Sequence, residues 1–413
     1  MALATGHLKH MDLALLRAIF LSLIWLICTN AGNCAIYKSQ QISASGFHYT
    51  VFDRADSAIE FCVTRPDKND PKGLLCIPAA FTTPKQRILG MAICNGQLAG
   101  DISGSQMGGA AVFVDGDFDI FASDHGKMLT KDFVIELQKA KGSLFQQFML
   151  VKDGVAESFK DPTICQRRAL IVFKNGKKAV IESREDINLN QFAKDLADLG
   201  VLEALYTDMG SWDEGWYRND GKVLTLGKIC TETDRQTNWI LFKSSDKPQP
   251  FDYDPAGAWL QKHATVPQDT GKDDPKSLQK AILYGKFPLP RLSGGVDIIS
   301  LWRGRYKGDL GDVCVQKVAT GTIDGEPAAV TYTTWSTGGT GVWEVLTLYR
   351  KKAGKLEAVG QYDLEDRSAF TSLAISDNAV VLNWIKHAPN DSASTPSVPT
   401  VTKLFAKDFH PPG

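Results

Sequence analysis

The segment Ala204-Leu205-Tyr206-Thr207-Asp208-Met209-Gly210-Ser211-Trp212-Asp213-Glu214-Gly215-Trp216-Tyr217-Arg218 brings three acids and four aromatic rings together. Carboxylates at such spacing suit general acid–base work. The flat faces of Trp212, Trp216 and Tyr217 are of the kind that stack on sugar rings, and so many aromatics in one surface loop point to a binding site. Asp208 is the first candidate, because an acid at the end of a short apolar strand that follows a helix is how layered folds deliver a carboxylate to a cleft. Asp213 and Glu214 add two more acids within one loop. The plainer alternative is that Trp212 and Trp216 cover the edge of a core while the acids face water.

The elements that must hold this loop are legible from spacing. From Asn188 to Gly200 the apolar residues Leu189, Phe192, Leu196 and Leu199 recur every three or four positions, with Asn188 as N-cap and Gly200 as stop. A second helix is expected over Thr130–Ala140, with Phe133 and Leu137 on one face. Elsewhere between 36 and 245, short apolar runs alternate with the turn pairs Asn95-Gly96, Asp115-Gly116, Asp153-Gly154 and Asn175-Gly176, which signal antiparallel hairpins. The expectation is an α+β fold: a mixed, mostly antiparallel sheet with packed helices.

Residues 246–289 turn to Pro, Asp, Lys and Gln and read as a linker with short helices. Regular β-like runs over 290–413 suggest a smaller, mainly β accessory domain. The chain's 413 residues agree with two domains, and a formal net charge of −1 excludes the electrostatic footprint of a nucleic-acid binder. No Walker loop, serine elbow or His-Glu-x-x-His occurs, and the glycine-rich stretch at Ser336–Gly341 joins two strand-like runs. Neither a metal nor another cofactor is expected.

At the N-terminus, Lys9, His10 and Arg17 precede the apolar run Ala18–Cys28, and Thr29-Asn30-Ala31 offers a cleavage site. This reads as a signal peptide over 1–31, giving a secreted or periplasmic protein with no membrane span after cleavage. Six cysteines follow the leader and its immediate flank. Export permits disulfides among them, but Cys62, Cys76 and Cys94 sit in apolar runs and read as buried thiols.

Three places resemble the phosphodiester glycosidase family. Cys76-Ile77-Pro78-Ala79-Ala80-Phe81 followed by Gly90–Leu98 resembles its Asn-Gly-Gly-Phe-Phe segment and the strand-turn after it. Arg167-Arg168-Ala169-Leu170-Ile171 with Lys174-Asn175-Gly176-Lys177 resembles its Arg-x-Ala-Ile-Gly strand and turn, and Gly200–Gly210 resembles a helix-strand element ending in Asp-Gly-Gly. The resemblance covers about half the chain, as of a divergent bacterial member. It implies a carbohydrate or glycosyl-phosphate substrate. Asp208 would stabilise or attack the anomeric centre, Arg167 or Arg168 would grip phosphate, and Asp213 or Glu214 would activate water. Gly210, Trp212, Trp216 and Tyr217 would line the substrate site. Strand alternation sends only one of the two arginines toward it. Pro78-Ala79-Ala80 departs from Asn-Gly-Gly and Met209 replaces a glycine, which implies an altered substrate or a scaffold retained without catalysis.

Overall fold

The computed structural model describes residues 36–101, 107–228, 230–245, 254–264, 272–290, 295–337, 342–352, 354–364, 368–391 and 396–411. The expected signal peptide, with Cys28 and Cys34, lies outside the described residues, as does most of the glycine-rich stretch. Among the described residues the structure is mostly β, 51% strand against 13% helix, with four helices and many small sheets. This corrects the α+β expectation. Two helical patterns suggested a helix-packed fold, yet half of the described residues are strand, and the two helices cover outer faces of sheets.

Three sheets enclose the main core. The first, with seven strands, runs Tyr37–Ile42, His48–Asp53, Lys178–Ser183, Arg168–Phe173, Val201–Tyr206, Met149–Lys152 and Val155–Ala156 in spatial order. The second runs Asp117–Ala122, Gly109–Val114, Ser143–Gln147, Ala92–Cys94 and Gln97–Leu98. The third runs Lys222–Leu226, Gly215–Asn219, Gly73–Pro78, Trp239–Lys243 and Ala58–Cys62. Phe52, Leu75, Ile77, Phe113, Phe145, Leu170, Leu205 and Ile240 pack together between them. Asn95-Gly96, Asp115-Gly116 and Asp153-Gly154 close tight hairpins with both residues at positive φ, a geometry that Asn, Asp and Gly tolerate best.

Helix α1 (Lys131–Lys139) begins at Thr130, whose side chain accepts from the Phe133 amide, and lays Phe133 and Leu137 on the second sheet. Helix α2 (Leu189–Asp198) begins at Asn188, which accepts from the Gln191 amide. It buries Phe192, Ala193 and Leu196 against Tyr49, Ile171, Ile181 and Ala204 on the outer face of the first sheet. The helix therefore stands directly behind the strand Val201–Tyr206, and that strand ends at the acidic loop.

Two more helices, α3 (Pro255–His263) and α4 (Pro275–Leu283), lie in the stretch rich in Pro and Asp. Ala256 and Leu260 of α3, together with Trp302, complete the cluster that holds α1 on its sheet. Beyond them a five-stranded meander from Arg305 to Asp363 and a three-stranded sheet from Ala369 to Leu404 share a separate core of Val330, Leu346, Leu373, Leu382 and Trp384. Among the described residues no helix is long and apolar enough to cross a membrane.

Candidate functional site

The strand Val201–Tyr206 pairs with Arg168–Phe173, and the Thr207 amide still donates to the Arg168 carbonyl. One residue later the Asp208 amide donates to the Ala79 carbonyl at 2.9 Å, which pins Asp208 against the end of strand Gly73–Pro78. The segment after that strand is itself fixed. Asn238 accepts from the Ala80 amide at 2.6 Å and donates to the Ala80 carbonyl at 3.0 Å. Asp208 is thus positioned by two sheets at once, and the residue as a whole is half-buried.

Burial pushes the Asp208 carboxyl up to about 7, and the charge of Asp213 adds to the rise. The Thr82 and Met209 backbone groups and the Arg168 guanidinium oppose it. Asp208 has no ion pair among the described residues. A carboxyl that titrates near neutrality without a salt bridge is suited to taking up and releasing a proton at working pH.

The remaining acids of the loop are engaged elsewhere. Asp213 is buried and faces Arg168, with its two oxygens 3.1 Å from the guanidinium nitrogens, and it also accepts from the Gly215 amide. Arg168 is fully buried and reaches Glu182 as well, its Nε donating at 2.7 Å. This triad locks the start of one strand to the acidic loop. Glu214 is held by Arg65 and Lys68. Arg65 in turn lies over the Trp239 ring.

The two arginines point to opposite faces, as alternation requires. Arg167 is buried on the α2 side, where it donates to the Thr163 carbonyl at 2.6 Å and to the Ile187 carbonyl and Tyr206 hydroxyl at 3.3 Å each. Its remaining partner is Asp161 at 3.3 Å, whose side chain is 35% exposed. Trp216 and Tyr217 belong to the core, because the strand Gly215–Asn219 is covered on both faces. Trp216 packs with Cys76 and Trp239, and Tyr217 with Phe52. Trp212 stays partly exposed, donating to Glu232 at 2.9 Å beneath the Arg235 guanidinium. Gly210 is exposed at φ +137°.

A wall of rings beside Asp208 escaped the reading of the sequence. Phe81 meets Phe148 edge-on at 5.5 Å and Tyr206 at 5.8 Å, while Phe148 reaches Phe159 at 6.0 Å. Phe81, Phe148 and Phe159 are partly exposed, and Arg167 lies over the Tyr206 ring. They come from three separate segments, so no local spacing announces them. Asp208, Phe81, Phe148, Phe159, Tyr206 and Arg167 form the candidate site. Cys76 is buried, whereas Cys62 and Cys94 are partly exposed, and all three are free thiols. Among the described residues no cluster of His, Cys, Asp or Glu is arranged to hold a metal ion.

No protein-family model matches the chain, and no curated protein does so either. Solved structures give distant, partial likenesses. The zebrafish N-acetylglucosamine-1-phosphodiester alpha-N-acetylglucosaminidase catalytic domain, auto-inhibited by its pro-peptide, is 16% identical with a TM-score of 0.36. That match covers 52% of this chain and 85% of the other. A hypothetical protein from Synechocystis is 14% identical with a TM-score of 0.34 over 51% of this chain and 62% of its own. Likenesses this distant transfer no residue role.

Proposed function

We propose that this chain is an exported glycosidase-like hydrolase that releases a sugar from a glycosyl phosphodiester or a related envelope or exopolysaccharide glycan, with Asp208 as its general base. The observation that carries the reading is the contrast within one loop: Asp213 and Glu214 are held in ion pairs, while Asp208 titrates near 7 beside partly exposed aromatic rings. Ordinary glycoside hydrolysis uses two carboxyl groups, one of them to protonate the leaving oxygen. A phosphodiester leaves as a weakly basic anion, so that acid can be dispensed with. Phe81, Phe148 and Phe159 offer faces for the sugar ring. Ionised Asp208 then takes a proton from water as the water oxygen bonds to the anomeric carbon, and the bond from that carbon to the phosphate oxygen breaks with its electron pair leaving on phosphate. Until that proton has moved, the negative charge of Asp208 also favours the positive charge that develops at the anomeric carbon.

The test is release of sugar from a panel of glycosyl phosphodiesters by wild type and by Asp208→Asn. Wild-type turnover that rises with pH to a plateau above about 7, and is lost in the variant, supports the reading; an unimpaired variant overturns it. A second reading, a non-catalytic carbohydrate- or protein-binding scaffold, is favoured by the internal engagement of both Arg167 and Arg168. Tight sugar binding with no turnover would select it.

A further inference from the structure

Strand Ala58–Cys62 is the last strand of the third sheet, so among the described residues its outer edge has no neighbouring strand. At the end of that edge stands Cys94, from strand Ala92–Cys94 of the second sheet. Its sulfur donates to the Phe61 carbonyl at 3.4 Å and accepts from the Val63 amide and the Ser143 hydroxyl. Phe61 and Val63 flank Cys62. The bonds from the Phe61 carbonyl oxygen to the Cys62 Cα add about 3 Å, so the Cys94 sulfur lies within roughly 6 Å of that Cα. A disulfide joins Cα atoms about 4.4–6.8 Å apart, and rotation about χ1 of the two residues is enough to turn one sulfur toward the other.

The two thiols are unequal. Burial raises both, but at Cys94 the Val63 amide and the Ser143 hydroxyl oppose the rise. At Cys62 the carboxylate of Glu60 adds to it and the thiol is pushed up to about 12. Cys62 donates to Glu60 Oε1 at 3.8 Å. Both cysteines are partly exposed, whereas Cys76, the next thiol along the chain, is buried against Trp216 and Trp239.

We propose that Cys62 and Cys94 are joined by a disulfide that staples the third sheet to the second, formed by exchange with a small-molecule or protein disulfide. Cys94, as thiolate, attacks one sulfur of that oxidant and expels the other as a thiolate, leaving a mixed disulfide. Cys62 then passes its proton to Glu60 and attacks the Cys94 sulfur, and the second thiolate leaves with the electron pair. Two protein thiols are oxidised and one disulfide is reduced to two thiols. The loop closed in this way carries strand Gly73–Pro78 and the segment Ala79–Phe81, against which Asp208 is pinned. Oxidation thus fastens the support of the acid without touching it.

The experiment uses the full chain, reduced with dithiothreitol and then equilibrated with oxidised glutathione. A non-reducing digest should yield a crosslinked peptide pair that holds Cys62 and Cys94, and the oxidised chain should melt about 5–10 °C above the reduced one. For Cys94→Ser, the oxidised and reduced samples should melt together. Cys62→Ser keeps the attacking sulfur and should stop at a glutathione adduct on Cys94. The proposal is overturned by thiols that stay free in the oxidised wild type, by a Cys62–Cys76 link, or by a Cys62–Cys94 link that leaves Tm unchanged. An oxidative gain retained in Cys94→Ser, or an adduct-free Cys94 in Cys62→Ser, overturns it as well.

Discussion

At the scale of single residues, Asp208 makes the molecule's pH behaviour predictable. In the native chain it keeps its proton to about pH 7, whereas unfolded it releases it near about 3.9. Between those values the native state binds the extra proton, so this group's contribution to stability is full in acid, falls as pH climbs, and stays lost above about 7. Asp208→Asn, neutral throughout, should therefore melt higher than wild type at about pH 8 and show no such gain at about pH 4, by scanning calorimetry. A gain that is the same at both pH values would show that the native carboxyl titrates normally. Asp208 was readable in the sequence because its placement depends on a local succession of helix, strand and acid. The commitments of Asp213 and Glu214 were not, because Arg168 and Arg65 reach them from 45 and 149 residues away.

Among the elements, α2 shows both what local pattern reveals and what it hides. Its cap, its apolar stripe and its stop at Gly200 (φ +86°) follow the sequence pattern closely. The buried acid in that stripe does not. Asp195 is fully buried and accepts from Ser43 at 2.9 Å, Ser45 at 2.7 Å, Tyr49 at 2.6 Å and Gln191 at 2.7 Å. Three of these donors lie on the first hairpin, so the acid bolts the helix to strand His48–Asp53. Asp195→Leu leaves those donors without an acceptor and should cost about 3 kcal/mol or more in urea unfolding, since each unsatisfied group costs about 1–3 kcal/mol. A loss below about 1 kcal/mol would mean that water replaces the carboxylate without penalty. The exchange of helix-packed α+β for mostly β has the same origin. Helical periodicity is conspicuous in one dimension, but the share of structure is decided by strand pairs, whose partners are distant in sequence.

For the whole molecule, the decisive feature is how the chain after residue 254 is joined to what precedes it. Arg303 enters the first unit between Asp119 at 2.9 Å and Glu203 at 3.6 Å, and the Tyr284 hydroxyl donates to Asp153 at 3.0 Å. Burial raises Glu203 well above the usual carboxylate range, with Arg303 opposing the shift. Arg303→Ala strands these acids and should lower unfolding stability by about 3–5 kcal/mol, measured by urea denaturation of the full chain. A change near zero would show the two halves to be independently stable. The seam was invisible in the sequence because the stretch 246–289 has the Pro-rich, polar composition of a tether, while its Ala256 and Leu260, with Trp302 from beyond it, fill gaps on the second sheet. Chains emerge from the ribosome amino end first. The apolar surface around α1 therefore stays open to water until Trp302 has been synthesised, and in that interval the nascent protein carries exposed apolar groups of the kind that associate with neighbouring chains.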